Sequence, residues 1–213
     1  MKLYTYWRSS AAYRARIALN LKGLKAEQVP VHLINDGGQQ HSADYTAINP
    51  QELVPALEDE GRIITQSMAL IEYLDETRPE PRLLPATPYE RARVRAMAQA
   101  VACDIHPLNN LRVMQYLEFQ LGIDLERRKR WTLHWIMQGF EALEKLLQDA
   151  ATGAFCHGDT PTLADVCLVP QVYNANRFDI DLEPFPTIVR INDTCLELDA
   201  FADAAPEKQP DAP

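Results

Sequence analysis

The sequence predicts a chain in two parts: a mixed α/β part running to about Arg78 and an all-α part from Tyr89 onward. Three observations carry this. Before Arg78, short apolar runs of strand character are interspersed with stretches of helical spacing. Pro79 to Pro88 then holds four prolines, cannot continue a helix and reads as a linker. Beyond it almost every stretch has the period of a helix. The domains expected are residues 1–80, a linker over 81–88, and 89–213. The chain has 213 residues, enough for one large or two small domains, and with 46% hydrophobic residues it can bury a sizeable core.

The first strand is Leu3-Tyr4-Thr5-Tyr6, aromatic and β-branched. Trp7-Arg8-Ser9-Ser10 follows, and then Ala11, Ala15, Ala18 and Leu19 recur at helical spacing. The two serines stand where that helix begins. A serine there can cap backbone N–H groups that have no partner inside the helix. The same free N–H groups and the helix dipole favour an anion, with the Arg8 guanidinium at the rim. Capping alone explains most such serine pairs, and the two roles are compatible. Ala26 to Leu33 alternates well enough for a second strand, and Asn35-Asp36-Gly37-Gly38 is a turn cluster. Leu53 to Leu57 is a third strand, entered through Pro55. Glu58 to Arg62 reads as a tight charged turn and Ile63-Ile64 begins a fourth strand. Gln66-Ser67 opens a helix through Ala69, Leu70, Ile71, Tyr73 and Leu74.

In the helical part, one long helix runs from Tyr89 to about Glu118, broken or kinked near His106-Pro107. A second spans about Leu125 to Gln148. A third begins at Pro161-Thr162-Leu163-Ala164-Asp165, where Thr162 and Asp165 form a capping-box pair. The tail, Ala204 to Pro213, is polar and proline-rich and is expected to be loose at its end. No internal repeat is present.

Composition excludes several function classes. The net charge is −9 and the lysines and arginines are dispersed, which argues against nucleic acid or an anionic membrane as partner. The one basic run, Arg127 to Arg130, falls in a helical stretch and reads as a solvated face. No apolar run approaches the length of a membrane span, and Met1-Lys2-Leu3 leads into a strand without a signal-peptide pattern. Cys103, Cys156, Cys167 and Cys195 are far apart and form no paired motif, so they read as reduced thiols in a cytoplasmic protein. Cys156-His157 lacks further ligands, and no metal is expected.

Several blocks together resemble the zeta class of the cytosolic glutathione transferases, the maleylacetoacetate and maleylpyruvate isomerases. They are Arg8-Ser9-Ser10 with Tyr13 to Leu19, Asn49-Pro50 with Val54-Pro55, Gln66-Ser67, His106 to Asn110, Gly158 to Asp165, and Gln171 to Phe178. The resemblance spans nearly the whole chain. It implies a thioredoxin-like N-terminal domain followed by an all-helical one, with glutathione as cofactor. One departure stands out: the family's Ser-Ser-Cys reads Ser9-Ser10-Ala11 here. Covalent chemistry of that cysteine is therefore absent, but chemistry that relies on the thiol of glutathione need not be.

The resemblance assigns roles residue by residue. Ser9 is the hydroxyl that stabilises the glutathione thiolate, and Ser10 adds its hydroxyl or backbone N–H. Hydrogen bonds to the charged form and a helix N-terminus lower a thiol's pKa from about 8.5. The family's cis Val54-Pro55 bond leaves the Val54 backbone to pair with the cysteinyl part like an added strand. From the residues alone, a trans proline at a strand edge is the plainer reading. Gln66 and Ser67 suit the γ-glutamyl carboxylate, with an ordinary helix start as the alternative. Gln40 and His41 are candidates for the glycyl end. The substrate is a maleyl diacid. The thiolate adds to its cis double bond, the bond rotates, and expulsion of glutathione leaves the fumaryl product. Arg8 and Arg177 are the cations for the two carboxylates, arginine suiting them through its forked, permanent charge; a salt bridge is the alternative for Arg177. His106 and Asn109 are candidate contacts to glutathione or substrate, though a histidine before a proline is often a packed or capping group. Arg112 adds positive potential. Thr162 and Asp165 are assigned to folding. Two other functions stay open: a general transferase that conjugates electrophiles, and a transferase-like fold kept as a binding module. The family also implies a homodimer.

Overall fold

The computed structural model describes residues 1–213 apart from the side chain of Asp36. It divides into two compact units, Met1–Arg82 with Leu198–Pro213, and Leu83–Glu197. The closing segment thus returns to the first unit and does not continue the helical one.

The first unit is a four-stranded mixed sheet with helices. Its elements are β1 (Lys2–Thr5), α1 (Ser10–Leu21), β2 (Glu27–Pro30), α2 (Ala43–Ile48), β3 (Ala56–Asp59), β4 (Arg62–Thr65) and α3 (Ser67–Thr77). The strand order is β2-β1-β3-β4. β1 runs parallel to β2, with Leu3 opposite Gln28, and antiparallel to β3, with Leu3 opposite Leu57. A parallel neighbour needs a crossover, which α1 supplies. β3 and β4 form a hairpin in which Asp59 faces Arg62. The charged turn expected over Glu58 to Arg62 therefore narrows to Glu60 and Gly61, both at positive φ (50° and 76°), as a two-residue hairpin turn requires. β2 is half the expected length. β3 starts only after Pro55, which has no N–H to give a ladder.

The core of this unit is Leu3, Tyr13, Ala15, Ile17, Ala18, Leu57, Leu70, Ile71 and Leu74, all buried. Each large member is worth roughly 1.5–3 kcal/mol of transfer free energy. A second cluster joins Tyr6, Val31, Tyr45 and Val54, with Tyr4, Trp7, Leu33 and Ile48 packed on it. It seats the loop ahead of β3.

The second unit holds α4 (Pro88–Gln99), α5 (Leu111–Phe119), α6 (Leu125–Leu146), α7 (Leu163–Arg177) and α8 (Pro186–Leu196). The expected long helix departs from α-geometry earlier than His106. Ala100–Ile105 is a π-helical segment and His106–Asn109 a 3-10 turn, and the chain then breaks at Asn110, whose side chain caps α5. The wider turn coincides with a close approach: a Cβ on Gly139 of α6 would overlap the Ile105 side chain. On α6, Thr132, Ile136, Phe140 and Leu143 form the buried stripe. In the basic run Arg127, Lys129 and Arg130 are exposed, with ion pairs from Arg127 to Asp124 (3.5 Å) and Lys129 to Glu126 (3.3 Å). Arg128 departs from the expected solvated face: its side chain is only 16% exposed and turns to Glu118 (2.7 Å). α7 is buried almost throughout, with Phe140 and Phe185 edge to face nearby in the same core.

The tail is the clearest correction. Leu198 onward forms α9 (Asp199–Ala202) and a 3-10 turn at Pro206–Lys208, and Phe201, Ala204, Pro206 and Gln209 are buried. Its polarity is spent on bonds within the first unit: Gln209 Oε1 accepts from Gln28 Nε2 at 3.0 Å, and Gln209 Nε2 donates to the carbonyls of Asp203 (3.0 Å) and Ala205 (2.8 Å).

Candidate active site

The loop between β1 and α1 presents Ser9. Ser9 caps α1 from an extended backbone (φ −70°, ψ 119°), and its Oγ accepts from the Ala12 amide at 3.2 Å. That bond uses a lone pair and leaves the hydroxyl proton to donate. Ser10 is the first helical residue and is buried. Arg8 carries its guanidinium over the Trp7 ring, 5.2 Å from the centroid. No acidic residue stands in the first turn of α1. By contrast α2, α4, α6 and α7 have Asp44, Glu90, Glu126 and Asp165 there. α5 and α8 also lack one; a helix start without a carboxylate keeps its positive end uncompensated by its own first turn.

The start of α3 has the same character. Gln66 precedes it at φ 67°, ψ 118°, a left-handed backbone that costs on the order of 1–3 kcal/mol for a residue with a side chain. Its side chain makes no capping bond and Nε2 instead donates to Gln51 Oε1 at 2.7 Å. The first turn of α3 also lacks an acid. Ser67 is buried, and its Oγ accepts from Arg14 Nη1 at 3.1 Å, tying the start of α3 to α1.

Gln40 and His41 are neighbours in a bonded chain. Gln40 Nε2 donates to the Leu33 carbonyl at 3.3 Å and lies 3.0 Å from His41 Nε2, while His41 Nδ1 lies 2.8 Å from Glu52 Oε2. These contacts assign the His41 proton to Nδ1. Gln40 Oε1 is buried and has no donor among the described residues. Val54 is buried and its bond to Pro55 is cis. The carbonyl just before it, of Leu53, accepts from Tyr45 Oη at 2.6 Å and from Asn49 Nδ2 at 2.7 Å. Burial pushes the Tyr45 hydroxyl up to about 12, against the lowering by Asn49, so it remains a donor at neutral pH.

In the second unit, His106 opens the 3-10 turn with Nε2 3.2 Å from Asn110 Nδ2. Asn109 is buried in the same turn, and its Nδ2 has no acceptor among the described residues. Arg177 is exposed in the last turn of α7, its guanidinium 5.4 Å from the Phe178 ring centroid. Arg112 is exposed near the start of α5. Asp165 is fully buried: it accepts from the amides of Cys156 and Thr162, both at 2.8 Å, and from Thr162 Oγ1 at 2.7 Å. Burial raises its pKa despite those bonds. Among the described residues no cluster of His, Cys, Asp and Glu suits a metal, and no helix is long and apolar enough to cross a membrane.

Sequence reasoning missed Arg16. It is buried on α1 and donates from Nε to the Ala204 carbonyl (3.0 Å), from Nη1 to Thr5 Oγ1 (3.3 Å) and the Tyr6 carbonyl (3.4 Å), and from Nη2 to the Trp7 carbonyl (2.9 Å). The available signal was its place one turn after Ala12 and three residues before Leu19, on the apolar stripe, where an arginine must bring its own acceptors.

The comparisons agree with this geometry. Residues 3–82 match the family model for the glutathione S-transferase N-terminal domain, and residues 126–195 match that for the C-terminal domain. A probable maleylacetoacetate isomerase of Vibrio cholerae is 54% identical over 99% of this chain and 97% of its own. A solved structure described as holo maleylpyruvate isomerase, a bacterial zeta-class glutathione S-transferase, superposes with a TM-score of 0.97 at 49% identity over the whole of both chains. A maleylacetoacetate isomerase of Methylobacterium extorquens AM1, solved with malonate and glutathione bound, superposes with a TM-score of 0.96 at 46% identity over the whole of both chains. Full-length identity of this order, together with both domain matches, places the chain in the glutathione S-transferase family, in the zeta class of maleylacetoacetate and maleylpyruvate isomerases.

Proposed function

We propose that this chain is a glutathione-dependent cis–trans isomerase that converts a maleyl diacid, maleylacetoacetate or maleylpyruvate, to its fumaryl isomer during breakdown of aromatic compounds. The observation that carries the reading is the start of α1: a serine cap with a hydroxyl proton to give, and no acid in the first turn. Glutathione fits the donor set on three counts. The starts of α1 and α3 both lack an internal carboxylate. Gln40 Oε1 is a buried acceptor that a peptide N–H would satisfy. Val54 lies ahead of the β3 ladder, with the preceding carbonyl already bonded.

When bound, glutathione supplies the thiolate that adds to the double bond and leaves again after rotation. Ser9 donates to that sulfur anion, and Ser10 adds its hydroxyl or backbone N–H. Both favour the charged form over the thiol. Gln66 and Ser67 hold the γ-glutamyl carboxylate at the positive end of α3. Val54 pairs through its backbone, and Gln40 and His41 take the glycyl end. His106 and Asn109 complete the binding set. Arg8 and Arg177 hold the two carboxylates of the diacid, so that only the middle of the substrate turns and the charge developing beside them is stabilised. The relative solved with both malonate and glutathione supports a diacid as occupant. We also expect a homodimer in the cytoplasm; light scattering tests the first.

The deciding experiment follows loss of the maleyl absorbance with and without glutathione. Isomerisation only with glutathione is the expected result. A pure, folded protein that never isomerises a maleyl diacid refutes the reading, and conjugation of a neutral electrophile in its place would point to a general transferase.

A further inference from the structure

The closing segment of the chain reaches the loop that carries Ser9 by two routes, one direct and one through Arg16 of α1. The Trp7 amide donates to Asp211 Oδ2 at 2.8 Å. The Ala204 carbonyl accepts from Arg16, whose other nitrogens hold the carbonyls of Tyr6 and Trp7. The Tyr6 carbonyl also accepts the Ser9 amide at 3.0 Å, so the place of Ser9 follows from that of Tyr6. The segment is anchored independently of Asp211, through Gln209 to Gln28 of β2 and back to Asp203 and Ala205.

We infer that Ala204–Asp211 is a positioning strap for the sulfur site, with Asp211 and Arg16 as positioning residues that set the acidity of the bound thiol without touching it. The inference rests on the reading of Ser9 given above. A donor aimed at a developing or resident anion works only over a few tenths of an ångström, and misplacement of about 1 Å can cost on the order of a hundredfold in rate. The strap removes that freedom in two ways: Asp211 takes the Trp7 N–H, and Ala204 fixes Arg16, which takes the carbonyls of Tyr6 and Trp7. Its effect must be positional. A carboxylate acting only by charge disfavours a nearby anion, so its removal lowers a thiol pKa; loss of a strap raises it.

The test titrates the ultraviolet thiolate band of glutathione bound to the wild type, Asp211→Ala, Asp211→Asn and the exposed control Lys208→Ala. Amide hydrogen exchange over residues 6–12 is measured on each, after melting curves confirm folding. Asp211→Ala is expected to raise the bound thiol pKa by about half to one unit and to cut kcat at pH values below it by about three- to tenfold. KM for the diacid stays unchanged and exchange over the loop quickens. Asp211→Asn keeps an oxygen to accept from Trp7 and is expected to restore wild-type behaviour, as Lys208→Ala leaves it. A thiol pKa that stays put or falls in Asp211→Ala, or loop exchange that does not change, overturns the strap alone. A wild type with no bound thiolate overturns the sulfur-site reading, and the role of the strap with it.

Discussion

Replacing Ser9 separates its two jobs. Its Oγ accepts from Ala12 N–H at 3.2 Å as the cap of α1, and its proton is assigned to the sulfur. Ser9→Ala loses both functions. Ser9→Gly also lacks the hydroxyl, but glycine is a tolerable cap, costing a few tenths of a kcal/mol where alanine costs about 1 kcal/mol. For a chain of this size that difference is roughly 1–3 °C in melting temperature. Losing a hydrogen bond to a charged group costs about 1.5–3 kcal/mol, which is roughly 1–2 units in the pKa of the bound thiol. Both variants should therefore lose about ten- to a hundredfold in isomerisation at neutral pH, recovering part of it as pH rises, while only Ser9→Ala melts lower. Ser9→Thr should keep most of both functions. Rates against pH, with melts alongside, read out all three. If Ser9→Gly and Ser9→Ala isomerise within twofold of wild type at neutral pH, Ser9 is only a cap, and Ser10 becomes the candidate donor.

Further expectations follow the same lines. Arg8→Ala and Arg177→Ala should abolish diacid isomerisation yet leave conjugation of a neutral electrophile intact; parallel loss of both activities would mean that the arginines serve folding or glutathione instead. Asp165→Ala strands two buried amides and a hydroxyl and should cost roughly 3 kcal/mol or more, measured by denaturant melts, with kcat per folded molecule unchanged. Asp59 is buried, which works against its ionisation, but the Tyr73 hydroxyl at 2.9 Å and Arg78 at 2.8 Å outweigh this and hold its carboxyl below the usual range. Its stabilisation is therefore present above the unfolded carboxylate pKa of about 3.9 and is lost as pH falls through the lower folded value. Asp59→Asn should flatten that acid limb of stability against pH, and an unaltered limb would contradict the assignment.

How much was legible in the sequence depends on how far each residue reaches along the chain. Local signals held up: the serine cap at α1, the Thr162–Asp165 box, the span of α6 and the helix opening at Ser67 all rest on contacts within a few residues. The cis bond before Pro55 came from the family pattern; the residues alone favoured trans. What the sequence hid were partners far apart. Arg16 meets Ala204 and Trp7 meets Asp211, pairs 188 and 204 residues apart, and no periodicity announces them. A polar, proline-rich tail looks loose because composition cannot tell side chains solvated by water from side chains bonded to a buried arginine's neighbourhood. The early departure from α-geometry at Ala100 was hidden for the same reason, since it accompanies the fit of Ile105 against Gly139 on another helix.

The return of Leu198–Pro213 to the first unit bears on the order of assembly. Ribosomes make chains from the amino end, so the amino-terminal sheet leaves the exit tunnel long before the residues that complete it. The helical unit is continuous and can close first, while the sheet waits with the Arg16 side chain short of one acceptor until Ala204 has emerged. A chain truncated after Glu197 and released should therefore hold a folded helical unit and an unfinished, protease-sensitive amino-terminal one.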